Sequence, residues 1–462
     1  MGIIKAYVLP HPPLAVPEVG GGKELAIGKT LAAFDEVAAE IAGIAPETII
    51  YITPHNVLYA DYFHISPGAS ARGDLSRFGA PLSTGMELDY DVPLVAEIER
   101  LAGENGIAAG TLGEKSKALD HGVTVPAWFV NRRYGGYKAV RVSQSGLEPS
   151  EHYRLGSVIA EAAEAIGRRA VLIASADLSH KLADDGPYEF SPQGAKFDSA
   201  ITGILGSGDF LSLLAMPGDL REDAGECGYN SLTIMAGCFD RRNVKTELLS
   251  YEYPFGVGYA VASVGPGGPA DDRDILEQFS EISRSRASKI REAEDDYLAL
   301  ARRSLEHMLE NGSELPFPGG LPDELLGKKA GVFVSLHKNG SLRGCIGTIA
   351  PTTDCVAREI IQNAVSAGLN DSRFEPVGTS ELPYLTYKVD VLSAPEPISS
   401  PKELDVKRYG VIVTAGYKRG LLLPNLDGVN TVDEQLSIAK RKAGITEGEP
   451  VKLERFEVIR HG

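Results

Sequence analysis

Cysteine is scarce in this chain, with four in 462 residues, at Cys227, Cys238, Cys345 and Cys355. Four thiols so unevenly spaced do not make a disulfide framework, and there is no Cys-x-x-Cys pair to suggest structural zinc. A reducing, cytoplasmic setting is the expectation. Long apolar runs are missing as well. None approaches the roughly eighteen residues of a membrane-spanning helix, so no membrane partner is expected. The apolar stretch after Met1 is too short for a signal peptide. Positive charge is in deficit, 46 Lys and Arg against 63 Asp and Glu, for a net charge of −17. A general nucleic-acid or anionic-membrane binder needs a basic footprint, so neither partner is expected. Internal repeats and low-complexity tracts are also lacking.

What is present is the composition of a globular chain, 43% hydrophobic and 24% charged. Its length calls for more than one domain. Short β-branched runs at Ile3–Leu9, Thr48–Thr53, Tyr137–Val142 and Ala170–Ala174 read as strands. They alternate with helical periodicity over Lys23–Ala42, Pro93–Asn105, Val123–Val130 and Glu151–Ile166. This alternation predicts an α/β domain with a mostly parallel sheet over residues 1–265. Gly265-Pro-Gly-Gly-Pro-Ala-Asp-Asp has lost hydrophobic periodicity, and 266–284 reads as a linker. Charged helical sequence follows over Asp274–Glu310. Strands at Ala330–Leu336, Leu385–Leu392, Gly410–Ala415 and Lys418–Leu423 predict a second, α+β domain over 285–462.

Four histidines of the first domain sit in turn-like motifs. They are Pro10-His11-Pro12-Pro13, Thr53-Pro54-His55, Asp120-His121-Gly122 and Asp177-Leu178-Ser179-His180. His11, His55 and His180 each follow a strand within a few residues. In open α/β sheets that is the edge where ligands gather. Asp223-Ala-Gly-Glu-Cys-Gly228 adds a carboxylate, Glu226, between two glycines that permit a tight turn. Two imidazoles and a carboxylate on one face, with open positions opposite, suit ferrous iron, and His11, His55 and Glu226 are the best candidates. Cys227 is a competing ligand that would favour zinc or copper. His121 and His180 are then candidate acids or bases beside the metal. Asp120 and Asp177 either orient imidazoles or cap local turns. His64 reads as a strand residue. His152 is expected to be exposed at the start of a helix. In the second domain, Gly344 and Gly347 of Leu342-Arg-Gly-Cys-Ile-Gly-Thr348 suggest close backbone approach, and Arg343 suits an anion or an internal carboxylate.

These motifs carry a resemblance. Residues 1–265 are similar to the superfamily of class III extradiol dioxygenase catalytic subunits, through the early His-Pro-Pro, Thr-Pro-His, Asp-His-Gly followed by Val-Thr-Val-Pro, Ser-His after a strand, and the late Gly-Glu. The resemblance implies Fe(2+) bound by His11, His55 and Glu226. It also implies His180 as acid/base toward a small aromatic diol and O2, with His121 lining the pocket. The same fold resembles the Memo family, a redox or metal-binding group in which the late ligand is the Cys of a Cys-Gly pair, here Cys227; zinc or copper are the alternative ions. The last 180 or so residues resemble the AMMECR family, through the 342–348 signature, Asn370-Asp-Ser-Arg-Phe374 with Pro376, and Val389-Asp-Val-Leu-Ser393. The order of the two domains resembles the AmmeMemoRadiSam system protein A type of fusion. That implies a radical-SAM protein as partner and allows a homo-oligomer. The two functions to weigh are ring cleavage of a catechol-like substrate and a non-catalytic metal-binding or assembly role.

Overall fold

A computed structural model describes residues 2–115, 118–186, 188–426, 428–446 and 448–462. The chain divides into two compact units, Met1–Ser280 and Glu281–Gly462.

The first unit is built on six strands: β1 (Gly2–Leu9), β2 (Thr48–Thr53), β3 (Lys138–Ser143), β4 (Arg169–Ser175), β5 (Arg242–Glu252) and β6 (Tyr259–Pro269). Their order across the sheet is β3–β2–β4–β1–β6–β5. The four strands from β3 to β1 are parallel, and β6 and β5 add an antiparallel edge. All six residues of β2 are buried, as a parallel strand covered on both faces requires. Ala6, Val8, Ile50, Ile52, Val140 and Leu172 face one core. Their neighbours Tyr7, Leu9, Ile49, Tyr51, Ala139 and Val171 face the other.

Helices α1 (Gly28–Ile44) and α3 (His121–Asn131) cover the second face, with Phe34 and Phe129 stacked at 4.2 Å. Helices α2 (Val92–Glu104), α4 (Pro149–Ala165), α5 (Pro192–Ser207) and α7 (Tyr229–Gly237) supply buried residues to the first. The short α6 (Gly218–Ala224) leads into the turn before α7.

Two local expectations change here. Gly265–Pro269, which reads as linker, is the end of β6 and pairs with β5 as far as Arg242. Val264 is the last residue paired with β1, so the glycines and prolines occupy an edge where a missing N–H is tolerated. His152 is fully buried in α4. Its Nδ1 donates to the Glu148 carbonyl, its Nε2 accepts from the Ser145 N–H, and its ring meets Phe63 edge-on at 4.7 Å. The charged stretch after 274 is two helices, α8 (Ile275–Glu292) and α9 (Asp296–Asn311), and the division between the units falls inside α8.

The second unit holds two antiparallel four-stranded sheets. One orders β8 (Ser341–Gly347), β7 (Val332–Lys338), β9 (Leu385–Leu392) and β14 (Val458–His461). The other orders β10 (Glu396–Ile398), β13 (Lys452–Phe456), β11 (Gly410–Ala415) and β12 (Lys418–Leu422). Helices α9 and α10 (Val356–Leu369) share a core with Val332, Val334 and Leu336. The 342–348 signature lies in this frame. Arg343 forms a two-pronged pair with the Glu381 carboxylate, both contacts at 2.9 Å, and so reads an internal anion. The Cys345 N–H donates to Asp371, which Arg373 also clasps. A Cβ on Gly344 would sit 2.1 Å from the Ala367 carbonyl oxygen, the close approach the glycine permits.

Candidate metal centre

The parallel strands of the first unit end together, and the loops that leave them bring distant residues to one place. His11 follows β1 and is buried. His55 follows β2 and is exposed. Their Nε2 atoms lie 2.9 Å apart. Cys227, partly buried in the turn before α7, places its Sγ 3.5 Å from the same His11 nitrogen. Among the described residues, His11, His55 and Cys227 form the one group of donors close enough to hold a cation together. First-row ions bind nitrogen at about 2.1 Å and sulfur at about 2.3 Å, so donors separated by these distances fit around one ion.

Glu226, the carboxylate preferred on sequence, is not in that group. Its Oε2 accepts the Tyr229 N–H at 2.6 Å and so caps the start of α7. Gly225 has φ +60°, which turns the chain out of α6. A Cβ at Gly228 would strike Ala176 and the Asp177 carbonyl, so the turn presses against the end of β4. Between these glycines, the side chain that joins the imidazoles is the thiol. Burial pushes the Glu226 carboxyl up to about 7, and its hydrogen bond to Tyr229 opposes this.

Ser175, the last residue of β4, was not singled out by sequence. Its hydroxyl donates to the Gly122 carbonyl at 2.6 Å and lies 2.8 Å from His11 Nδ1. A hydroxyl has one proton, so Nδ1 must donate to Ser175 and the lone pair of His11 is left on Nε2, toward His55 and Cys227. This is the tautomer a metal ligand needs. Asp177 takes the His11 backbone N–H at 2.8 Å, and its other oxygen is 3.7 Å from Nε2. Asp120 accepts from Thr53 at 2.6 Å and faces Arg141 at 3.5 Å. Among the described residues, neither aspartate hydrogen-bonds an imidazole.

His121 stacks on His55 at 4.0 Å and meets His11 edge-on at 5.5 Å. Phe78 packs edge-on against His121 at 5.2 Å. His180 stacks on Tyr188 at 5.4 Å, and its charge would act on His11 and His55. Nδ1 of His121 and Nε2 of His180 are buried with no partner among the described residues. Burial, then the neighbouring imidazoles, hold His11 well below the usual histidine pKa. The same causes lower His121 to about 3 and His180 to about 4. Desolvation also lowers His55, opposed by Asp120 and aided by Arg77. All four rings are therefore neutral at pH 7, the state that offers lone pairs. Burial holds the Cys227 thiol well above its usual range, with Asp177 and Glu226 adding to the shift. Its anion thus needs a cation beside it, which is what a metal supplies.

The model of the catalytic LigB subunit of aromatic ring-opening dioxygenase matches residues 5–262, more than half of the chain. The chain belongs to this family. The AMMECR1 model matches residues 298–461, so a LigB domain is followed by an AMMECR1 domain. The Clostridium acetobutylicum protein CA_C1420 is similar to this chain over 98% of both, at 43% identity across 463 residues. A Thermotoga maritima protein is 49% identical over 170 residues, covering 36% of this chain and 98% of its own. A crystal structure of the Pyrococcus horikoshii protein PH0010 is 32% identical over 36% of this chain and 88% of that one, with a TM-score of 0.33. LigB domains usually bind a metal, and the His-His-Cys group is where this one offers donors.

Proposed function

We propose that the LigB domain is a metal-binding module in which His11, His55 and the Cys227 thiolate hold a borderline or soft ion, copper or zinc. One observation carries this reading: Cys227 Sγ, and not the Glu226 carboxylate, stands beside His11 Nε2. Sulfur selects softer ions than the carboxylate of a two-histidine iron site does. Ser175 fixes the His11 tautomer, and Asp177 anchors its backbone. The AMMECR1 domain then serves docking, with a radical-SAM protein as the partner to seek. The test is metal analysis of full-length protein purified without chelators, followed by competition titration with Cu(I), Zn(II) and Fe(II). Copper or zinc near one equivalent, lost in Cys227→Ala, is the expected result. Iron retained by Cys227→Ala and lost in Glu226→Gln would overturn it.

The unpartnered nitrogens of His121 and His180 favour a second reading, ring cleavage of a catechol-like diol with O2. Bound iron(II) would supply the redox chemistry for that reaction. His180 would take the proton of a diol hydroxyl at Nε2, and His121 would wall the pocket with Phe78 packed against it. Anaerobic loading with iron(II), then catechols and air, tests this. Oxygen uptake that disappears in His180→Gln supports ring cleavage, whereas its absence across the panel removes it.

A further inference from the structure

Residues of the segment Ser70–Asp89, with Ala118 and Leu119, line an open cleft of about 590 Å³. That lies within the range of about 300–1,000 Å³ usual for small-molecule sites. Four charged side chains line it: Arg72, Asp74, Arg77 and Glu87. Three are already engaged. Arg72 pairs with Glu87 at 2.9 Å across a short hairpin. Asp74 accepts from the Ser76 N–H at 2.8 Å and from its hydroxyl at 2.5 Å. Arg77 lies over the Phe78 ring at 5.3 Å and has no carboxylate partner among the described residues. Phe78 is the ring that packs on His121. The free guanidinium is thus one side chain removed from the histidine cluster, and its charge acts on both His55 and His121.

A cation in that position opposes a second cation held by His55. The thiolate of Cys227 offsets only one positive charge of a divalent ion. An unpaired guanidinium on the wall of a ligand-sized cleft, one ring away from such a centre, is balanced when an anion binds beside it, and its planar fork suits two oxygens at once. We propose that Arg77 is the specificity residue of a small-molecule subsite in this cleft, and that the ligand carries an anionic oxygen group, a carboxylate or a phosphate. The proposal rests on the metal-centre reading for the purpose of the site. The recognition of the anion by Arg77 can be measured without metal.

Full-length protein, metal-free and zinc-loaded, is titrated calorimetrically with benzoate, phenyl phosphate and the neutral isostere benzamide. At least one anion is expected to bind tenfold or more tighter than benzamide in both forms. Benzoate ahead identifies a carboxylate subsite, and phenyl phosphate ahead a phosphate subsite. Arg77→Gln abolishes the preference and Arg77→Lys keeps part of it. Arg77 is exposed, so both variants fold. With no ligand present, Arg77→Gln binds zinc about three- to tenfold tighter, because a nearby like charge has been removed. Equal binding of all three probes, or a preference that survives Arg77→Gln, would overturn the proposal. Failure of wild type to take up zinc while the anion preference persists would instead count against the metal reading alone.

Discussion

Ser175 gives its only hydroxyl proton to the Gly122 carbonyl and must receive one from His11 Nδ1. One strand-end serine thereby decides which His11 nitrogen is free to bind. Ser175→Ala removes the acceptor and leaves a buried ring nitrogen without a partner. Metal affinity is expected to fall by about 10–100-fold, the usual effect of losing a group that orients a ligand histidine. Competition titration with a coloured chelator measures it. In metal-free protein, nitrogen NMR should show the His11 tautomer fixed in wild type and mixed in the variant. Unchanged affinity together with a fixed tautomer would remove Ser175 from the site.

Glu226 and Cys227 are neighbours in sequence and part ways in the fold. Cys227→Ala is expected to weaken metal binding by at least about 100-fold, since a three-donor set loses its only anionic member. Glu226→Gln keeps an acceptor for the Tyr229 N–H and removes a carboxyl that burial already pushes up to about 7. Its metal affinity should stay within about twofold of wild type, and its stability within about 1 kcal/mol. The pair of titrations separates the two residues, and the reverse pattern would return the carboxylate to the centre.

The sheet was legible because buried parallel strands are nearly continuous Ile, Val and Ala runs. The meeting of His11 and His55 followed from their places just past those runs. The choice between Glu226 and Cys227 was not legible. A shift of one residue in a Gly-flanked turn exchanges which side chain faces the imidazoles, and that depends on the left-handed Gly225 and the crowding at Gly228. Ser175 was hidden for a similar reason, since its contact with His11 depends on which side of the β4 pleat the last residue takes. His152 misled through its position. An early helical residue is usually exposed, but here the Ser145 N–H and the Glu148 carbonyl reach it in the core. The Gly-Pro-rich end of β6 has linker composition because its edge position tolerates residues that an inner strand would reject.

His152 gives the LigB domain an acid-side stability slope. Burial is the first cause lowering its pKa to about 4, from 6.5 in the unfolded chain. Between those values the unfolded state binds more protons than the folded state, so stability falls as pH drops from about 6.5 to about 4. Both ring nitrogens are engaged in the neutral form, and a second proton would sit against the Ser145 N–H. The loss across the window is on the order of 2–3 kcal/mol. His152→Gln lowers stability at pH 7 and makes the slope between pH 6.5 and 4 shallower by its own share, the rest coming from His11, His121 and His180. Denaturant melts of both proteins at half-unit pH steps measure it, and parallel slopes would show that His152 contributes nothing to it.

Gly344 tests whether the 342–348 signature is structural. It is buried in β8, opposite Leu336 of β7, and its φ lies outside the left-handed region. The constraint is therefore space and not conformation. An added methyl would lie 2.1 Å from the Ala367 carbonyl oxygen and 3.1 Å from its carbon, so a backbone turn of α10 would have to move. Overpacking of this kind costs about 1–3 kcal/mol or more. Helix α10 also carries Ile360, Ile361 and Ala364 into the core under β7, so the displacement disturbs the whole layer. Gly344→Ala is expected to lower the unfolding transition of the AMMECR1 domain in the full chain by several degrees. Gly319→Ala, where the new methyl meets nothing, should change stability by less than about 0.5 kcal/mol and leave the transition near that of wild type. Calorimetry of the two variants decides the matter. If Gly344→Ala melts with wild type, steric closeness does not account for this glycine, and the signature must be explained by something that binds to it.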